Sequence, residues 1–211
     1  MKKQLHCLTA NRQEGQFVIN LAEILVSAGL VVGAAFQAEA FLQDYQFESY
    51  YDELKSVETV LWDYKAATGR WPGDCDSNGV IDIGKMDSKE SAGLENNCAF
   101  EIGSQDAIIR ILSDLASANL LDDNLRAEFA NEGSPRMQLA HDANYGADAQ
   151  NVLVAFDVSP ELAQWLDNKI DGVSSVHEGR IRLWDAKQIQ EWPNPNESDV
   201  VSIAYYFDSK I

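Results

Sequence analysis

The pattern of apolar and polar positions divides this chain sharply. Residues 17–36 run FVINLAEILVSAGLVVGAAF, largely apolar, with Asn20 and Glu23 as polar interruptions. About 20 such residues suffice to cross a bilayer as a helix. Neither glycine nor proline occurs from Ala34 to Thr68. Within that stretch Tyr50, Leu54, Val57, Leu61 and Tyr64 recur at alternating spacings of four and three, which is one apolar helix face. Asp52, Glu53, Lys55 and Asp63 lie away from it. The spacing predicts one helix over residues 16–68, about 80 Å long at ~1.5 Å per residue. Its first half has no core of its own chain to pack on; its second half carries a stripe for a globular head. Gly69 and then Pro72-Gly73 end it.

Further on, Ile108, Ile109, Leu112 and Leu115 predict a helix over residues 105–121, with Asp122 and Asp123 just beyond. Residues 131–148 are polar and Gly/Asn-rich and read as a surface loop. Residues 151–158 read as a strand, Pro160–Ile170 as a short helix, and residues 179–184 and 200–207 as two more strands. Asp171-Gly172 and Pro193-Asn194-Pro195 separate them. The expected fold is α+β: a long N-terminal α-helix with a hydrophobic first half, packed on a small antiparallel β-sheet head formed by residues 69–211. Trp165, Trp184, Trp192, Tyr205 and Tyr206 read as core and rim of that head.

Charge changes the picture. The formal net charge is −18. Residues 1–15 carry Lys2, Lys3, Arg12 and Glu14, a net +2, so the remainder stands at −20. Such a surface repels nucleic acid, and no nucleic-acid partner is expected. It suits solubility outside the cytoplasm or binding of divalent cations. Lys2, Lys3 and Arg12 precede the apolar segment, which places residues 1–15 in the cytoplasm and the head across the membrane. An ordinary secretory signal has its apolar segment before the cleavage site, but here nothing greasy precedes Gly15. A cut after Gly15 therefore leaves residues 17–36 on the mature chain. Asn20 and Glu23 share roughly one helix face, and a carboxylate inside lipid calls for a partner. Gly29 and Gly33 have the spacing that permits close helix packing.

Cys7 falls in the leader, leaving Cys75 and Cys98 as an even pair. In an oxidising compartment they are expected to form a disulfide, the alternative being two thiols. Closing that loop of about 24 residues contributes about 3 kcal/mol by chain entropy. His141 and His177 have no nucleophile motif beside them and read as solvated loop residues, and no G-x-S-x-G occurs. No enzymatic activity is expected.

Glu14-Gly15 followed by Gln16-Phe17-Val18-Ile19-Asn20-Leu21 resembles a prepilin processing site. Trp62-Asp63-Tyr64 through Gly69-Arg70-Trp71-Pro72-Gly73-Asp74 resembles the "Y…LPGD" turn of one pilin-like group. Ala118-Asn119-Leu120-Leu121 and the stretch from Ser159-Pro160-Glu161 to Asp171-Gly172 resemble later patches of the same group. The chain thus resembles a type IV pilin-like protein, a pilus subunit or a type II secretion pseudopilin. The resemblance implies cleavage after Gly15 and methylation of Gln16 by prepilin peptidase, residence in the bacterial inner membrane, and work by an inner-membrane assembly platform. It also implies packing with other pilin or pseudopilin subunits in a periplasmic or surface filament. Two positions depart from the family: Gln16 stands where Phe is usual, and Asn20 where a Glu neutralises a neighbour's amino terminus. Either Glu23, one turn on, takes that part, or the subunit sits where no such pairing is needed. The rival readings are a membrane-anchored periplasmic calcium-binding module with no filament, and a pilus-borne adhesin.

Residues 74–82 read D-C-D-S-N-G-V-I-D. Asp74, Asp76, Asn78 and Asp82, with the carbonyl of Val80, occupy the ligand positions of the first nine places of an EF-hand-type loop, and Gly79 supplies the sharp turn. The twelfth place holds Lys85 instead of a bidentate Glu, so Asp87, Glu90 or another residue must complete the set. Calcium at the weak, extracellular end of the range is the expected ligand. The plain alternative is a solvated turn held by side-chain-to-backbone bonds.

Overall fold

Helix α1 covers residues 41–68 and stops at Gly69, which takes φ +81° and donates its N–H to the Lys65 carbonyl at 2.8 Å. A left-handed residue just past the last turn is a common way to close a helix, and glycine adopts it without strain. The computed structural model describes residues 38, 41–83, 100–102, 104–129, 137–142, 150–172, 174–184, 191–194 and 200–208. Its contacts divide the chain into two units, Met1–Ser49 and Tyr50–Ile211. In the first, residues 41–49 are helical, and Phe41, Leu42 and Tyr45 are exposed. In the second, Tyr50, Leu54, Val57, Leu61 and Tyr64 are all buried, as their spacing predicts. Burying each aliphatic member of that stripe contributes about 2 kcal/mol.

The second unit is α+β. Among the described residues three further helices follow, α2 (Gln105–Ser117), α3 (Asp123–Phe129) and α4 (Pro160–Asp171), with strands β1 (Met137–Asp142), β2 (Gln150–Val158), β3 (Ile181–Leu183) and β4 (Val201–Tyr205). The strands make one antiparallel sheet in the order β1-β2-β4-β3. One face carries Met137, Leu139, Leu153, Ala155, Ile181, Ile203 and Tyr205 into the core that also holds the α1 stripe and Ile111 and Leu115 of α2. The other carries Ala140, Val152, Val154, Ala204 and Tyr206, packed with Ile102, Phe156 and Trp184.

That double burial explains the main departure from the expected pattern. Residues 137–142 were expected in a surface loop, and they form β1, with all six residues buried. A strand covered on both faces shows no alternation of apolar and polar side chains. Its polar residues are held instead by specific partners, as where Tyr206 Oη donates to Asp142 Oδ2 at 2.6 Å. His141 is accordingly buried rather than solvated. Helix α2 is shorter than expected, because Asn119 turns left-handed at φ 56°. Ile109, expected on its apolar face, is 55 % exposed, while Ile111 is fully buried. Helix α3 has seven residues, too few to show a period, and starts where Asp122 Oδ1 caps the Leu125 amide at 2.7 Å. Helix α4 matches its signals: the Ser159 side chain accepts from the Leu162 amide, proline opens the first turn, and Gly172 closes it at φ 75°.

Glu58 ties α1 to the sheet. It accepts hydrogen bonds from Lys55, from Tyr205 Oη at 2.6 Å and from Arg180 at 2.7 Å. Burial alone raises its pKa, but these three donors outweigh burial and hold it below the usual glutamate range.

Gly15, Gln16, Asn20, Glu23 and the apolar segment 17–36 lie outside the described residues. Among the described residues no helix is long and apolar enough to cross a membrane.

Candidate metal centre

The acidic loop begins where α1 has ended, and the turn before it is built for position. Trp71 is fully buried. Gly73 has φ +80°, and a Cβ there would stand 3.0 Å from Ile83 Cδ1. Its amide donates to Asp114 Oδ2 at 2.9 Å. Asp114, from α2, is also held by Arg70 at 3.2 Å and Arg110 at 3.4 Å. The resulting clamp sets the direction in which Asp74 leaves the turn.

Within the loop the acidic residues organise the backbone. Asp74 Oδ2 accepts the Gly79 amide at 3.0 Å, and Asp82 Oδ2 accepts the Cys75 amide at 3.0 Å. Asp76 takes the Asn78 amide at 3.1 Å and its side-chain N–H at 2.9 Å, while Asn78 Oδ1 takes the Val80 amide at 2.7 Å. Ser77 at φ 59° and Gly79 at φ 88° supply the left-handed steps of the turn.

These bonds bring Asp74, Asp76 and Asp82 together, with one carboxylate oxygen of each within 4.8 Å of the others. Asp74 and Asp82 are fully buried and Asp76 is exposed. Asp74 Oδ1 is buried and has no hydrogen-bond partner among the described residues. A buried carboxylate oxygen without a donor is costly unless a cation meets it. Burial is the main reason that the Asp74 pKa is raised; the charges of Asp76 and Asp82 add to it, and the Gly79 and Asn78 amides oppose it. Three clustered carboxylates with a buried, vacant oxygen suit a hard divalent cation taking oxygen ligands. Asn78 directs its side-chain oxygen at the Val80 amide, and Val80 is half-buried beside it. Lys85, Asp87 and Glu90 lie outside the described residues, as does Cys98; Cys75 is half-buried at the start of the loop.

The loop is fastened to the sheet by a residue that its own sequence does not reveal. Asn151, buried at the start of β2, accepts the Ile81 amide at 2.9 Å, and it donates to the Gly79 carbonyl at 2.8 Å and to Asp208 Oδ2 at 3.2 Å. Beyond the loop, the Ile83 carbonyl accepts the His141 amide at 2.9 Å, and Phe100 donates to the Asp82 carbonyl at 3.0 Å. Nothing in local spacing marks Asn151 or Asp114, because each acts on the loop across a long stretch of chain. Asn151→Ala removes all three bonds of that side chain. It is expected to cost about 1–3 kcal/mol in urea unfolding, chiefly through the stranded Ile81 amide.

The chain matches no family model, no curated protein and no solved structure.

Proposed function

We propose that this chain is a subunit of a type IV pilus or type II secretion pseudopilus. Residues 17–36 hold it in the bacterial inner membrane until prepilin peptidase has cut after Gly15 and an assembly platform draws it into a filament. There the apolar helices exchange lipid for one another, with Asn20 or Glu23 meeting a neighbour, and the acidic heads face outward. The head carries a calcium ion on Asp74, Asp76 and Asp82, with Asn78 and Val80 completing the near side. The observation that carries this reading is the order of parts. A basic leader is followed by an apolar segment, and an apolar stripe further along the chain lies buried against a four-stranded antiparallel sheet.

The test is mass spectrometry of the amino terminus of the protein from cells with active prepilin peptidase. The expected result is a chain beginning at methylated Gln16. An intact Met1 would replace the filament subunit with a membrane-anchored periplasmic calcium module.

A further inference from the structure

Helix α4 ends in a second acidic arrangement of a different kind. Asp167 is 0 % exposed. Its Oδ2 accepts the Ser175 amide at 2.7 Å and the Trp192 indole N–H at 2.9 Å. Its Oδ1 is buried and has no hydrogen-bond partner among the described residues. Asp171 lies one helical turn on, on the same side of α4, and its side chain raises the pKa of Asp167 through its charge and a hydrogen bond. Asp171 in turn accepts the Arg180 amide at 2.8 and 2.9 Å and the Ile181 amide at 2.9 Å. Gly179 comes so near that a Cβ there would stand 2.5 Å from Asp171 Cγ. Between them the two side chains clasp the 174–181 segment to α4.

The described cations near this clasp have partners of their own. The Arg180 guanidinium binds Glu58 and the Tyr206 carbonyl. Arg182 donates to the Gly179 carbonyl and lies over the Tyr206 ring. Lys169 lies over the rings of Tyr51 and Trp165. The other ionisable groups described in the segments that supply the donors are His177, Glu178 and Glu191. Two ionised carboxylates at this separation repel, whereas one carboxylic acid and one carboxylate attract through a shared hydrogen.

We propose that Asp167 and Asp171 hold one proton between them, carried on Oδ1 of Asp167 and donated to Asp171, and that this proton is a pH-sensitive latch on the 174–181 segment. The proton gives the buried Oδ1 the partner that it otherwise lacks. Burial, reinforced by the Asp171 charge and hydrogen bond and opposed by the Ser175 and Trp192 donors, pushes Asp167 from 3.8 up to about 6. The native state therefore retains a proton that the unfolded chain gives up. The latch's contribution is complete below 3.8 and is lost as pH rises to about 6.

The test compares thermal unfolding of the full-length chain with that of Asp167→Asn from pH 5 to pH 7.5. Asparagine reproduces the protonated acid: its oxygen accepts from Ser175 and Trp192, and its N–H donates to Asp171. At pH 5 the variant should already melt above the wild type, because the latch weakens from 3.8 upward, and the gap should widen as pH rises further. By pH 7.5 the variant should melt on the order of 4 °C above the wild type. A variant that melts below the wild type at pH 7.5, or a difference that does not change with pH, overturns the proposal. If the variant fails to fold, carbon-13 titration of the wild-type aspartates decides. A buried carboxyl still protonated at pH 5 and ionising near the value above supports the latch, and full ionisation of every aspartate by pH 5 overturns it.

Discussion

Replacing Trp71 with alanine is expected to cost about 3–5 kcal/mol, among the largest losses from any one side chain in the head. Trp71 packs edge-on against Trp62, with ring centroids 4.9 Å apart, and against Phe207 at 5.1 Å. Lys65 stands 3.8 Å above its ring. Truncation removes all of these contacts and leaves a cavity between the end of α1 and the C-terminal segment. The same change should also reach the metal loop. The Trp71 carbonyl accepts the Asp74 amide at 3.1 Å, so the ring anchors the turn from which Asp74 departs. Leu166→Ala is the control: it empties a fully buried core site on α4 rather than one beside the Asp114 clamp, for about 2–5 kcal/mol. Urea unfolding should show large losses for both, and calcium titration should show weakened binding for Trp71→Ala alone. Equal calcium affinity in the two variants would show that the turn does not depend on its anchor.

Calcium itself should have the second large effect. A ligand that binds only the folded state at about 100 times its Kd adds about 2.7 kcal/mol. That corresponds to a rise in Tm of roughly 5–10 °C for a domain of this size. Asp74→Asn should abolish the rise, yet it should not weaken the metal-free protein at neutral pH. The raised pKa of Asp74 means that its charged form is the disfavoured one: its contribution to stability is present at low pH and lost as the carboxylate ionises. An asparagine keeps an oxygen for the Gly79 amide and sheds the repulsion from Asp76 and Asp82. The variant is therefore expected to equal or exceed the wild type without calcium and to fall behind it with calcium. Scanning calorimetry with and without millimolar calcium checks both signs. An unchanged wild-type Tm would remove calcium from the proposed function.

Where periodicity was strong, the chain could be read before it was seen. The stripe from Tyr50 to Tyr64, the Gly69 stop and the Ser159-Pro160 start of α4 rest on local chemistry, and the structure has them where that chemistry puts them. Strand β1 was hidden because burial on both faces erased its alternation, leaving Gln138, His141 and Asp142 to look like loop residues. Helix α2 was placed correctly but turned a little, so that Ile111 rather than Ile109 faces the core. In the acidic loop the spacing of Asp74, Asp76 and Asp82 foretold their convergence, since alternate short oxygen-bearing side chains around a left-handed turn have few other ways to point. What holds that turn against the sheet was out of reach. Asn151 and Asp114 act from other elements, and only the tertiary fold brings them to the loop.

The distance along the chain between Gly79 and Asn151, 72 residues, also has a temporal meaning. Contacts between remote parts of a polypeptide close late, because the loop entropy between them must first be overcome. The acidic loop is thus expected to be completed late, once β2 and Asp208 have come round to it, an order that pulse-labelled hydrogen exchange would check. An ion bound there would therefore report that these remote segments have met.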